Sequence, residues 1–419
     1  MSAEEIVLVG AGAILAIAVV SGRLDSVWLT EPLVITGLGV IAGFSLLDEP
    51  IDLETPLLLT FLELTLALVL FSDASRIDVA RLRSGYTWPL RMLLIGMPVV
   101  IVLGAALAGW YLSLPLGIAL LIGVLLAPTD AALAEPVLVA EKVPPRVRQA
   151  INIESGLNDG LAVPALLIAI GLIESETGQT GGEAVGLVLS QLGIGIVGGI
   201  VLGWLGARLI GTGTESGWMN PLHQKIAAVA LALVGFAGVQ LLGGSGFVAV
   251  FIAGGLMSHL IRPRCEYLYE FAEAEGHALV LVAFFIVGAG PGLTAIQEGL
   301  APEAIVVALV SLLVLRPASI ALALIGQRLS GATVAFLGWF GPRGLATVVF
   351  VLVAAEELEG VPPIVSETVT AVVLASIIAH GLSAVPMTSW LAARTAAMPE
   401  GMPEMGEAFD HPMRRVSGA

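Results

Sequence analysis

Basic residues are scarce in this chain, and their spacing along an almost unbroken apolar sequence limits the folds open to it. Apolar runs occupy 5–20, 29–47, 56–73, 89–112, 115–140, 150–173, 184–210, 222–242, 245–261, 277–296, 302–326, 332–355 and 364–392. Most approach the ~20 residues that cross a bilayer as a helix. Of 419 residues 57% are hydrophobic and 12% charged, against roughly 25% charged in soluble domains. The runs are too long and continuous for barrel strands, and helices satisfy their backbone groups internally. The reading is an all-α polytopic membrane protein of about 13 transmembrane helices.

Arg23 lies in the first connection, Arg76, Arg81 and Arg83 in the third, with Arg91 just beyond, and Lys142, Arg146 and Arg148 in the fifth. Arg208 and Lys225 flank the seventh, Arg262 and Arg264 lie in the ninth, Arg328 in the eleventh, and Arg394, Arg414 and Arg415 in the tail. The other two of the 18 basic residues, Arg316 and Arg343, lie within runs, away from the connections. The positive-inside rule makes the odd connections cytoplasmic, which places the N-terminus outside and the C-terminus inside, in the cell (inner) membrane. The acidic start Met1–Glu5 is unlike a secretory signal. The single Cys265 excludes an intrachain disulfide or cysteine-cluster metal site, and net charge −16 argues against nucleic acid. Residues 394–419 read as a short, disordered cytoplasmic tail.

A shift of about 213 residues lays run four on run eleven, with Pro89 on Pro302, and run six on run thirteen. It also lays the break at Pro128 on that at Gly341-Pro342. With run seven as linker the second half enters from the opposite side. Two inverted repeats with interrupted helices at matching positions mark secondary transporters.

Ionisable residues inside spans point to a pathway or a site. Pro128 interrupts run five, and Thr129 and Asp130 are suitable N-caps for a half-helix from Ala131. That unwinding frees carbonyls for a cation and sets Asp130 at a positive helix end. On run six Ser155 and Asp159 stack one turn apart, as do Glu154 and Asn158. Ser155 offers a neutral oxygen and Asp159 a charged one, a donor set for a hard monovalent ion. Burial favours the protonated carboxyl and a bound cation the ionised one, so proton and cation compete. Buried Arg343 in Gly341-Pro-Arg-Gly344 needs a partner, and Glu154 is the expected one. Arg316 is a second intramembrane cation whose partner is open, with a reach toward the interface as the plainer reading. Asp73 closes run three as a funnel-lining acid or a solvated helix end. Glu63 and Glu135 also lie within runs. His380 reads as a packing histidine before a pH sensor. Gly193-Ile-Gly-Ile-Val-Gly198 matches a dinucleotide fingerprint only by letter, because no strand precedes it.

Thr129-Asp130 on a broken span, Glu154-Ser-Gly-Leu-Asn-Asp159 on the next and Gly341-Pro-Arg-Gly344 together resemble the monovalent cation:proton antiporters of the NhaP type. The likeness covers nearly all of the membrane region and implies thirteen helices with crossing, unwound helices five and twelve. Within one membrane domain over 1–393, residues 89–173 and 302–393 would form the ion-translocating core. Residues 1–88 and 222–296 would form the scaffold and dimer interface. The likeness implies that Asp159 is the shared ion and proton carboxylate. Ser155, the Thr129 carbonyl and Asp130, the last through water, would complete the shell, with Asn158 bracing the unwound stretch and Glu154–Arg343 a structural pair. Asp73 falls where the family has a longer Glu, and Ala131 where it has proline. Asn158 before Asp159 resembles the electroneutral branch, which favours sodium over lithium or potassium. The expected partners are that cation, H+, the bilayer and a second copy of the chain in a homodimer. No cofactor and no enzyme activity are expected. Competing readings are a sodium-coupled solute symporter of similar crossed-helix architecture and an intramembrane aspartyl protease. The protease usually carries Gly-x-Gly-Asp, where this chain has Asn158 before the aspartate.

Overall fold

The apolar runs fold as helices. The computed structural model describes residues 10–16, 18–19, 29–46, 49–76, 87–178, 181–261, 268–396, 398–399 and 401–406, and among them every regular element is helical. Arg23, Arg81, Arg83, Arg262, Arg264, Cys265, and the tail from 407 with Arg414 and Arg415, lie outside the described residues. Residues 10–16 and 18–19 are helical within the expected first run.

In chain order the helices are α1 (Glu31–Leu46), α2 (Pro56–Arg76), α3 (Thr87–Tyr111), α4 (Leu116–Leu125), α5 (Ala131–Leu138), α6 (Pro145–Thr177) and α7 (Gly181–Glu215). There follow α8 (Pro221–Leu241), α9 (Gly246–Ile261) and α10, which runs Leu268–Val287 and continues through a π turn at Gly288–Gly292 to Gln297. The last are α11 (Pro302–Ala323), α12 (Gly331–Trp339), α13 (Leu345–Glu357) and α14 (Pro363–Thr395). Eight helices among the described residues are long and apolar enough to cross a membrane, and α1, α4 and α9 are shorter apolar ones. The chain is a multi-pass membrane protein. Runs five and twelve are both broken, as α4/α5 and α12/α13. Runs four and eleven, which the internal echo aligns, each carry a π turn, at Met92–Gly96 and Ser311–Leu315.

The chain divides into two compact units, each described by itself. The first comprises Met1–Leu59, Trp88–Ser155 and Val280–Ala419. Trp88, Met92, Val137, Ile151, Phe336, Phe340 and Leu391 belong to its core, so α3, α5, α6, α12 and α14 meet there. Arg91 ties α3 to the end of α11, with Nε donating to the Ala323 carbonyl at 2.5 Å and Nη2 to that of Ile325 at 3.2 Å. A cation on orphan carbonyls at a helix C-terminus is favourable.

The second unit comprises Thr60–Thr87 and Gly156–Leu279. Here α7 and α9 pack through a stripe of small residues. A Cβ at Gly195, Gly199 or Gly203 would lie 2.9, 2.6 or 2.8 Å from the carbonyls of Ser245, Ala249 and Ala253. Backbones this close gain dispersion contact where lipid offers no hydrophobic drive. The glycines that mimic a dinucleotide fingerprint lie in this packed helix.

The tail departs from expectation. Pro403–Met405 forms a 3₁₀ turn with Glu404 fully buried. Its Oε1 accepts the Ser330 N–H at 2.6 Å, at the start of α12. Arg146 donates to the Pro403 carbonyl at 2.8 Å, and its guanidinium lies 4.6 Å from the centroid of the Trp88 ring. The segment folds because its carboxylate meets the positive end of a helix and its backbone meets an arginine. Replacing Glu404 by Ala should speed amide hydrogen exchange at Ser330 by about ten- to a hundredfold, as loss of one charge-assisted hydrogen bond implies. Glu404→Gln should fall between that variant and the wild type.

Candidate functional site

The first unit brings the two broken spans together at their breaks. Asp130 is the N-cap of α5, as expected, and its Oδ1 accepts from Ala132 N at 2.8 Å and Leu133 N at 3.2 Å. Its Oδ2 accepts from Leu345 N, the first residue of α13, at 2.9 Å. Its own N–H donates to the Pro342 carbonyl at 2.7 Å. One carboxylate therefore caps two half-helices, one oxygen to each. Each N-terminus carries roughly half a positive charge, so two about balance one carboxylate. Gly344 makes the approach possible, because a Cβ there would collide with the Asp130 carboxylate.

Thr129 and Ser155 also meet, with Thr129 Oγ1 donating to Ser155 Oγ at 3.3 Å, both side chains buried. Glu154 does not pair as expected. Its two oxygens accept Nη1 and Nη2 of Arg316 at 2.6 and 2.8 Å, a bidentate pair with both side chains buried. Arg343, expected in that place, instead donates from Nη1 to the Gly341 carbonyl at 2.8 Å. Arg316 nevertheless lies against the α12 break, since a Cβ at Gly341 would run into its guanidinium. The expected tie between α6 and the break exists, made by a different arginine. Successive helical positions point to different sides, so Ser155 meets the α4/α5 break while Glu154 is directed to α11. That offset was the one available signal for the partner. The burial of Arg316 excludes a reach toward the interface.

His380 is buried, as the packing reading expects, and its partner Ser376 does not stand out in the sequence. Ser376 Oγ accepts the Arg343 N–H at 2.6 Å and lies 3.1 Å from His380 Nδ1, which is also 2.9 Å from the Ser376 carbonyl. His380 Nε2 is 2.9 Å from the Trp339 carbonyl, the last of α12, and the two rings lie 5.0 Å apart. Trp339 Nε1 donates to Ser383 Oγ at 2.8 Å. The (i, i+4) spacing of Ser376 and His380 on one helix is the legible signal.

Asn158, Asp159 and Asp73 belong to the second unit. Asn158 and Asp159 are buried on α6. Asp73, partly buried near the end of α2, lies against Gly156, where a Cβ would be 3.4 Å from the Asp73 Cβ. Gly156 precedes Asp159 by three positions, and such residues neighbour one another on a helix surface. Asp73 thus lies beside the helix that carries Asp159.

The family model "Sodium/hydrogen exchanger, transmembrane" matches residues 10–390. A K(+)/H(+) antiporter, NhaP of Alkalimonas amylolytica, is 25% identical over 332 residues, 78% of this chain and 56% of that protein. A Na(+)/H(+) antiporter, NhaS2 of Synechocystis, is 30% identical over 274 residues, 62% of this chain and 47% of that protein. The chain spans about half the length of these curated relatives. The structure of the sodium proton antiporter MjNhaP1 from Methanocaldococcus jannaschii at pH 8 matches with TM-score 0.75 and 20% identity, over 94% of this chain and 98% of that one. The fold is shared.

Removing one member of a buried ion pair strands the other charge, at a cost of about 3–5 kcal/mol. Arg316→Met and Glu154→Met should each lower the thermal unfolding midpoint in detergent sharply. The double variant, with no charge left buried, should recover much of the loss. Equal loss in all three would show that the pair is not what holds this region.

Proposed function

The chain belongs to the transmembrane sodium/hydrogen exchanger family, and from that premise we propose that it exchanges a monovalent cation for H+ across the cell membrane. The single observation that carries this reading is the Asp130 carboxylate holding two half-helix N-termini together. Such an arrangement keeps two unwound stretches in place within hydrocarbon, where irregular backbone is tolerated only when buried in protein or lining a cavity. It is the setting in which carbonyls can strip and hold a small cation.

In this mechanism Asp159 is the group that carries either the proton or the ion. Ser155 and the Thr129 carbonyl supply neutral oxygens. Asp130, with its oxygens taken by amides, acts through its field and through water. Asn158 braces the unwound stretch, and Asp73 draws cations toward the site from the side of the basic connections, which is cytoplasmic. The Glu154–Arg316 pair is net neutral. A loaded carboxylate of either kind is neutral and can move by alternating access; an empty one is charged and stalls. One carboxylate makes the exchange one for one and electroneutral. Sodium is the expected cation, as the likeness of Asn158-Asp159 to the electroneutral branch implies, with lithium and potassium as competitors; the named relatives divide between sodium and potassium. Helices over 89–173 and 302–393 form the moving core, and those over 1–88 and 222–296 the scaffold of a homodimer. The N-terminus faces outward and the C-terminus the cytoplasm.

Reconstitution into liposomes with an acidic interior tests this. Sodium, lithium or potassium added outside should collapse the pH gradient, and Asp159→Asn should abolish the response. Equal collapse in that variant would remove Asp159 from the mechanism.

Competition fixes the pH dependence. As pH falls, protons occupy the carboxylate and the cation concentration for half-maximal exchange rises. The limit is roughly tenfold per pH unit once the protonated form dominates, by mass action of one ligand against another. The maximal rate at saturating cation should change far less. A half-saturation constant that does not move with pH would exclude a shared site.

A further inference from the structure

The α12/α13 break is held from α14 by two residues one turn apart. Ser376, His380 and Arg343 are all buried, each with no more than 1% exposure. On one flank of the break, the Arg343 N–H donates to Ser376 Oγ at 2.6 Å. On the other, His380 Nε2 is 2.9 Å from the carbonyl that ends α12. Nε2 faces a carbonyl, whereas Nδ1 has both the Ser376 carbonyl, at 2.9 Å, and the Ser376 hydroxyl, at 3.1 Å. With the one proton of the neutral ring on Nε2 both nitrogens are bonded, because the hydroxyl can donate to Nδ1 while a carbonyl cannot donate to Nε2. The donors therefore form one continuous chain: Arg343 N–H to Ser376 Oγ, Oγ–H to His380 Nδ1, and Nε2–H to the Trp339 carbonyl. It spans the break like a splint, entering at Trp339 and leaving at Arg343.

Bracketing and following the Arg343 anchor are the two backbone groups that hold Asp130. The Pro342 carbonyl takes its N–H, and Leu345 N gives to its carboxylate. We propose that His380, acting through Ser376, is a positioning residue that sets the path of 340–344 and so fixes Asp130 between the two half-helices. The π face adds a second restraint, because the imidazole lies 5.0 Å from the Trp339 ring and 6.1 Å from that of Phe340, both within or beside the break. Buried ring nitrogens need partners in any packed histidine; here one partner is the carbonyl before the break and the other is Ser376, whose hydroxyl holds the amide after it. The consequence for transport rests on the exchange mechanism proposed above; the consequence for the break does not.

The test uses the full chain in nanodiscs, with amide hydrogen exchange read over 339–346 and at 130–133, and cation half-saturation read in liposomes. His380→Leu keeps the bulk and removes both polar ring atoms. Ser376→Ala removes the hydroxyl with little change of volume, which keeps the question open to measurement if the leucine variant does not fold. His380→Gln retains an N–H for the Trp339 carbonyl. Exchange at Arg343 and Leu345 should quicken about five- to tenfold in the Leu and Ala variants, the loss of one buried hydrogen bond, and return toward wild type in the Gln variant. Half-saturation should rise in the same order with the maximal rate largely kept. Wild-type amide exchange at Arg343 and Leu345 in folded Leu and Ala variants overturns the proposal, as does a Gln variant no better than Leu. Because the amide arm does not depend on transport, failure of the exchange activity and failure of the splint give different results.

Discussion

Everything in the first unit is arranged around one carboxylate between two helix ends. Unwinding a helix in hydrocarbon leaves N–H groups with nothing to bond, each costing several kcal/mol. Asp130 meets three of them with two oxygens, and its own amide meets the carbonyl of Pro342. The arrangement is mutual. Without the charge the amides would be stranded, and without the amides the charge would be expelled or neutralised. Gly344 is the steric condition for the contact, since a larger residue would occupy the space of the carboxylate.

A division of labour among charges follows. Asp130 is balanced by helix ends and Glu154 by Arg316. The carbonyls at the end of α12 receive the His380 ring and the Arg343 guanidinium. Fixed charges near the breaks are thus each given a fixed counterpart.

Many of the helices were legible to within a few residues because every side chain in a span reports its solvent, although α10 starts nine residues before its run. The run expected at 29–47 is α1 at Glu31–Leu46, and that at 364–392 is α14 at Pro363–Thr395. The breaks were legible because Pro128 and Pro342 remove donors and Gly341 frees φ, and Asp130 was readable as a cap. The partner of Glu154 was not, since it lies 162 residues away and its choice depends on which way two side chains lean from their helices. Two arginines met the requirement for a cation, and only packing against Gly341 separates them. The ordered turn at Pro403–Met405 carries no periodicity at all; its order comes from where Glu404 and Arg146 fall in space.

The π turns in α3 and α11 carry one residue more per turn than the helix around them. Dropping a single residue from either would restore an ordinary helix without the turn of about 100° that the same deletion imposes inside an α-helical stretch. Chains of this architecture can therefore differ in length by one at these two places while keeping the same contacts on both flanks. An alignment gap there records a local rewinding rather than a lost residue of function, and homologous positions should be matched outward from the bulge in both directions.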